Sequence, residues 1–343
     1  MTLLHTSRRR FLGGLGAAAA GLTSTFAVGQ GREKVTFGTS WTAQAEHGGY
    51  YQACADGTYA RHGLDVTIVP GGPQSNGRLL VVVGRIDFYM GANLNQAFSA
   101  VEQNIPTVII AAMFQKDPQV LITHPGQGIE RFEDLKKLPT LFISKEGAAS
   151  YFQWMKADYG FRDDQVKPYT FNPQPFLADR NSAMQGYVTS EPYSIEQSAG
   201  FRPKVFLLTD QGYDTYASTI ETRRQFVVER PQTAQRFVEA SIIGWYNYLY
   251  GDNAAANARI KRDNPELSDA GIAFAIARMK DFGIVDSGRS LDLGIGAITE
   301  EKVETFFNKM VKSGVQKRTT DWRQAIDTRF VNKAIGKELR KVG

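Results

Sequence analysis

One pattern recurs along this chain and limits what it can fold into. Short apolar strands alternate with helices from Val35 to Thr123, and the alternation restarts at Thr140 and runs to about Leu208. In the first run the strands are Val35–Phe37, Leu64–Val69, Gly84–Met90, Thr107–Met113 and Val120–Thr123. The helices start near Gly49 (to His62), near Gln74 (to Val83) and after the exit loop Gly91–Gln96. In the second run the strands are Thr140–Ile143, Val166–Phe171, a short strand with its exit loop over Tyr187–Pro192, and Lys204–Leu208, with helices at Tyr151–Tyr159 and Leu177–Met184. Such alternation predicts a mostly parallel sheet covered by helices, and its repetition predicts two of them. Thr107–Met113 is almost wholly apolar, as expected of a central parallel strand. After a strand at Thr219–Thr222, long helices follow at Pro231–Tyr250, Ala254–Asp263, Ser268–Phe282 and Thr299–Lys312, ahead of a basic, weakly patterned tail.

The expected architecture is therefore α/β and two-lobed. Residues 30–122 and 217–343 form one lobe with C-terminal helices, and 123–216 the other. Two crossings join them, near Gln119–Thr123 and Tyr216–Thr222. Residues 1–29 stand apart: Ser7-Arg8-Arg9-Arg10-Phe11-Leu12 is a twin-arginine export pattern, a Gly/Ala-rich apolar stretch follows, and Ala27-Val28-Gly29 suits cleavage near Gly29. The alternative, an N-terminal anchor, fits less well with so weakly apolar a stretch. The formal net charge of +5 includes Arg8, Arg9 and Arg10, which leaves about +2 for the exported chain and no argument for a nucleic-acid partner. Cys54 is the sole cysteine, so no internal disulfide forms, and its small neighbours suggest a buried thiol.

Open α/β sheets bind ligands in the crevice beyond the C-terminal ends of their strands. The loop after the first strand, Thr39 to Gly49, carries an indole, a carboxylate, an imidazole and a glycine pair, with Tyr50 and Tyr51 just beyond. Such a mixture suits a small, polar, partly aromatic ligand. The expected ligand contacts are Trp41, Glu46, His47, Tyr50, Gly72, Asn76 and Asn93 from one lobe. The other lobe would add Ser144, Glu191, Asp210 and Tyr213. Asn76 could equally cap a helix, and Trp41, His47, Glu191 and Tyr213 could equally be packing or hinge residues. Catalytic signatures are missing: there is no Gly-x-Ser-x-Gly, no P-loop and no Gly-x-Gly-x-x-Gly beyond the export segment. The histidines also share no metal-ligand spacing. A binder without cofactor or metal is expected rather than an enzyme.

Several of these stretches are familiar. Glu46-His47-Gly48-Gly49-Tyr50-Tyr51-Gln52-Ala53, Gly63-Leu64-Asp65-Val66-Thr67-Ile68, Gly84-Arg85-Ile86-Asp87-Phe88 and Ala183 to Tyr193 resemble the periplasmic solute-binding proteins of ABC importers. The resembling branch binds thiamine pyrimidine precursors and, more distantly, nitrate and alkanesulfonates; the similarity runs from about Val35 to Leu249. It implies a type II-like two-lobed receptor that closes on a solute and delivers it to a membrane permease and its ATPase subunits. It also maps the aromatic cleft residues onto Trp41, His47 and Tyr50, and the second-lobe acid onto Glu191. The expected solute is a small nitrogenous aromatic such as a thiamine pyrimidine precursor. Alkanesulfonate, nitrate or aromatic carboxylate are alternatives, with Lys145 and Arg78 as the donors an anion would need. A pyrimidine synthase of the same fold carries a cysteine-rich motif that is missing here. An enzyme of that kind would have to rely on Lys145, around which nothing supports catalysis.

Overall fold

The computed structural model describes residues 31–72 and 75–340, so the export signal expected over residues 1–29 lies outside it. Ten strands are present: β1 (Glu33–Gly38), β2 (Leu64–Val69), β3 (Phe88–Asn93), β4 (Thr107–Phe114), β5 (Gln119–Thr123), β6 (Thr140–Ile143), β7 (Val166–Pro168), β8 (Ser182–Tyr187), β9 (Lys204–Leu207) and β10 (Ala217–Arg223). They form two five-stranded sheets, ordered β2-β1-β3-β10-β4 and β7-β6-β8-β5-β9. The second order repeats the first, with β5 standing where β10 stands. Both of these strands run antiparallel to their neighbours, and each enters its sheet from the other one. The chain therefore passes between the sheets twice, once between Phe114 and Gln119 and once between Leu207 and Ala217.

The helix Pro231–Tyr250 is the largest single support of the first sheet. Proline opens it where its missing N–H is harmless, and Ala234, Phe237, Val238, Ser241, Ile242, Trp245, Tyr248 and Leu249 are all buried. Phe237 stacks on Phe88 of β3 at 4.2 Å and on Tyr59 at 5.4 Å. The same helix explains the glycine pair at the start of Gly48–Ala55. A Cβ on Gly48 would fall inside the Tyr248 ring, and one on Gly49 inside the Trp245 indole; Gly244 meets the Gly49 carbonyl from the other side. These glycines let two helices touch backbone to backbone.

Five expectations need correction. The helix foreseen from Gly49 to His62 is two, Gly48–Ala55 and Thr58–Arg61. Gly57 is left-handed at φ 76°, and the Asp56 carboxylate takes both the Thr58 N–H, at 2.9 Å, and its hydroxyl, at 2.6 Å. No loop follows β3, because Asn93 ends the strand and its side chain caps the helix Leu94–Glu102 directly. Leu177–Met184 is not helical: a short helix ends at Ala178 and β8 begins at Ser182 and ends at Tyr187, so the strand expected over Tyr187–Pro192 is instead a turn leading into the helix Glu191–Ala199. β4 is not central but an edge strand, buried along its whole length. Its outer side is closed by C-terminal segments, through bridges of Ile109 with Ile326 and of Ala112 with Gly296. The basic tail is thus packed, with Trp322, Phe330 and Val331 buried.

The close approach of the two helices gives a direct test. Gly49→Ala in the 30–343 protein should lower unfolding stability by about 1–3 kcal/mol in urea denaturation, through overpacking against Trp245. Unchanged stability would contradict this packing.

Candidate functional site

The turn Tyr187–Glu191 leaves the C-terminal end of β8 and meets residues of both sheets. Glu191 opens the helix Glu191–Ala199, and its carboxylate accepts the Tyr187 N–H and the Ser190 hydroxyl, each at 2.6 Å. Glu46 comes from the opposite side, on the tight turn Ala45–His47 that follows β1, and its carboxylate accepts the Thr189 hydroxyl. Two carboxylates from different sheets therefore share one five-residue turn. Burial raises the proton affinity of both, and the charge of Glu191 adds to the rise at Glu46.

A third carboxylate approaches from the crossing. Asp117 is buried between β4 and β5; it accepts the Gln119 N–H at 3.1 Å and the Asn93 amide at 3.3 Å. Its neighbour Pro118 accepts the Val188 N–H at 3.0 Å, which brings the crossing against the same turn. Burial holds the Asp117 carboxyl at about 6 despite its two donors. Tyr187 stands among the three: burial raises its phenol, and the charges of Asp117, Glu46 and Glu191 add to that. Gln185, on β8, accepts the Ser144 N–H at 2.6 Å and the Tyr151 hydroxyl at 2.9 Å, so it ties the helix Lys145–Ala149 to the turn.

Aromatic rings cover the group. Trp41 meets Phe171 across the two sheets at 5.0 Å, and Phe171 meets Tyr169 at 5.5 Å. Burial raises the Tyr169 phenol and the Glu191 charge adds to it, so this ring lies near that carboxylate. Phe171 is half-exposed and held at φ 62°, an uncommon conformation for a bulky residue and one that aims its ring at Trp41. Gly71 donates its N–H to the Trp41 carbonyl at 3.1 Å, and a side chain there would strike the Thr39 carbonyl.

The remaining expected contacts fall into two groups. Asn93 donates to Asp117, and Tyr213 is buried within reach of the Asp117 charge. Ser144 caps its helix by accepting the Gly147 N–H at 3.1 Å, and Gly72 follows Gly71 beside the Trp41 loop. His47 is fully buried, with neither ring nitrogen hydrogen-bonded, and burial pushes it down to about 3, so it stays neutral. Tyr50 instead packs into the first lobe's core against Phe37, at 4.2 Å, and Trp245. Asn76 is exposed and caps Gly77–Val82 by accepting the Leu79 N–H at 3.2 Å. Asp210 pairs with Lys116 at 3.1 Å on an exposed edge.

Sequence reasoning passed over Asp117, Tyr169, Phe171, Gln185, Tyr187 and Thr189. The available signal was their position at strand ends facing a second sheet. Cys54 is pushed up to about 12 by burial, which keeps its thiol protonated, and among the described residues no cluster of His, Cys, Asp and Glu could hold a metal ion. No described helix is long and apolar enough to cross a membrane.

Two sheets of one topology that meet at a shared cleft define a two-lobed protein with the periplasmic-binding-protein fold. Known structures agree. The ligand-binding component of an ABC-type import system from Staphylococcus aureus, solved with zinc bound, superposes with a TM-score of 0.64 at 10% identity, over 89% of this chain and 99% of that one. The periplasmic aliphatic sulphonate-binding protein SsuA of Escherichia coli gives 0.61 at 14% identity, over 86% and 92%. The desulfurization enzyme DSZB gives 0.55 at 12% identity, over 90% and 100%.

The chain belongs to the NMT1/THI5-like family, whose model matches residues 44–255. It is also 29% identical, over 147 residues, to the 4-amino-5-hydroxymethyl-2-methylpyrimidine phosphate synthase of Schizosaccharomyces pombe. That match covers 43% of this chain and 39% of the synthase.

Two measurements check the site. Trp154, Trp245 and Trp322 are at most 5% exposed, so acrylamide quenching of tryptophan fluorescence reports chiefly on Trp41. Phe171→Gly, which removes the ring and suits the positive φ, should raise the quenchable fraction; an unchanged fraction would deny the cross-lobe contact. The second concerns Asp117, whose carboxyl titrates near 3.8 when unfolded and near 6 when folded. Its raised value favours folding below about pH 4, an advantage lost as pH rises through 6. Stability relative to Asp117→Asn should therefore fall by about 2 kcal/mol between pH 4 and 7. A constant difference would mean that the carboxyl is not buried as described.

Proposed function

We propose that this chain is the periplasmic solute-binding component of an ABC importer, exported by the twin-arginine route. On this reading it captures a small nitrogenous aromatic solute, such as a pyrimidine precursor of thiamine, by closing two lobes around it. The lobes are delimited near the two crossings between the sheets. A permease and its ATPase subunits take the solute from the closed form.

One observation carries the choice of solute: three carboxylates of raised proton affinity converge on the cleft turn, and among the described residues no basic side chain is paired with any of them. An aminopyrimidine of the kind named in the S. pombe relative offers an exocyclic amine beside a ring nitrogen. A carboxyl with raised proton affinity matches that edge, because it accepts from the amine and donates its proton to the ring. Trp41, Phe171 and Tyr169 supply a flat apolar cover for the ring.

An anion would find few partners. Arg78 is committed to Glu221 in a two-pronged pair at 2.7 and 2.9 Å, and Lys145 is exposed at a helix start. These features weigh against alkanesulfonate, nitrate and aromatic carboxylate. The synthase reading finds no reactive thiol among the described residues, since burial keeps Cys54 protonated.

Calorimetric titration of the 30–343 protein tests the reading. An aminopyrimidine should bind, and Glu191→Gln and Trp41→Ala should each weaken it about tenfold or more. Binding of alkanesulfonates with none of aminopyrimidines would overturn the choice of solute.

A further inference from the structure

One helix touches both of the elements that bring Glu46 and Glu191 to the cleft. The helix Asp269–Asp281 starts at Ser268, whose hydroxyl caps it by accepting the Gly271 N–H at 3.0 Å. Ile272, Ala275 and Met279 are its buried residues. On the side of the first sheet it packs against the Ala45–His47 turn, and Asn264, just ahead of it, donates to the Ala43 carbonyl at 2.9 Å. On the side of the second sheet it meets the helix Glu191–Ala199. There Tyr193, two residues after Glu191, lies on Phe274 with ring centroids 5.4 Å apart. The local sequence suits that contact. Gly271, Phe274 and Arg278 follow one another at spacings of three and four, so they share one face of the helix. The Arg278 guanidinium lies 5.3 Å from the centre of the Phe274 ring and is itself paired with Asp281 at 2.7 Å. A Cβ on Gly271 would come within 3.3 Å of the Tyr193 ring, so a larger side chain there would press on it.

Tyr193 and Phe274 are only half-buried and are not part of the hydrophobic core. Such a pair bears on how the two sheets sit together rather than on the filling of either. The helix also lies beyond residue 255, where the match to the family model ends. We propose that Tyr193, Gly271 and Phe274 form a latch across the cleft. The helix Asp269–Asp281 stays with the Glu46 side through the Asn264 hydrogen bond and its packing on the Ala45–His47 turn. It holds the Glu191 side through the Tyr193 ring, a contact that closure makes and opening breaks. The three are positioning residues, which act on the solute by keeping Glu191 opposite Glu46. The purpose of the latch rests on the solute-binding reading of the cleft; its geometry does not.

The first test reads closure without any solute. Trp41→Cys and Phe171→Cys, placed in the 30–343 protein with Cys54→Ser, put a thiol on each side of the other contact between the sheets. A short bismaleimide captures the closed form, so the rate of crosslinking reports how often the lobes close. Tyr193→Ala and Phe274→Ala should each slow capture about two- to tenfold, and Gly271→Leu should slow it as well. Tyr193→Phe keeps the ring and should be captured at the parent rate. Urea unfolding checks that each variant folds; if Phe274→Ala does not, Tyr193→Ala decides. The second test uses stopped-flow fluorescence of Trp41 in the 30–343 protein without the added cysteines, with 4-amino-5-hydroxymethyl-2-methylpyrimidine as probe. Phe274→Ala should speed dissociation by a factor similar to that seen in capture and leave association unchanged. If the pyrimidine does not bind, the solute reading fails and capture alone decides the latch. Capture at the parent rate in Tyr193→Ala and Phe274→Ala, slow capture in Tyr193→Phe, no capture in the parent, or an unchanged dissociation rate of a pyrimidine that binds overturns the proposal.

Discussion

Burying three carboxylates where the two sheets meet is the constraint on which the rest of this structure depends. An ionised carboxylate moved out of water costs several kcal/mol unless a charge or donors replace its hydration. Glu46 gains the Thr189 hydroxyl, Glu191 the Tyr187 N–H and the Ser190 hydroxyl, and Asp117 the Gln119 N–H and the Asn93 amide. These donors are too few, since the proton affinity of all three groups stays raised. The buried arrangement therefore favours protons or, in the proposed role, a solute that brings N–H groups. Only a ligand that interacts better with the closed arrangement than with the open one can shift the balance. In the proposed role, selectivity and closure are the same electrostatic event.

Topology explains why the three groups meet. Each sheet borrows one antiparallel strand from across the cleft, β5 in the second and β10 in the first. The connection into β5 is short, so Asp117 and Pro118 have nowhere to lie but between the sheets, and the Pro118 carbonyl is fixed by the Val188 N–H. The turn after β8 points into the same space because β8 is the partner of β5. On the first sheet, Gly48 and Gly49 let their helix sit hard against Pro231–Tyr250, which positions the Ala45–His47 turn just ahead of it. Packing between two helices thus places Glu46.

Much of this was legible in the chain. Pro231–Tyr250 has a proline at its start and an apolar face repeated over twenty residues, a signal that tertiary context rarely overrides. Trp41, Glu46 and Glu191 lie where strands give way to helices, and such positions advertise themselves. Ser182–Tyr187 did not. It holds Ser, Ala and Gly and no β-branched residue, and it is a strand because β5 and β6 flank it. Asp117 reads as a strand breaker beside a proline; its burial depends on a second sheet that local pattern cannot place. Phe171 belongs to the same class, since its partner Trp41 is 130 residues away in sequence. β4 shows the reverse error: an apolar run implied a central strand, but C-terminal segments supply the cover.

Small-angle X-ray scattering of the 30–343 protein at neutral pH tests the central claim most directly. Without ligand, the ionised carboxylates should hold the lobes apart. A saturating aminopyrimidine should then lower the radius of gyration toward that of the closed form, and an alkanesulfonate should leave it unchanged. Compaction by the sulfonate alone, or a closed form at neutral pH without any ligand, would contradict the account.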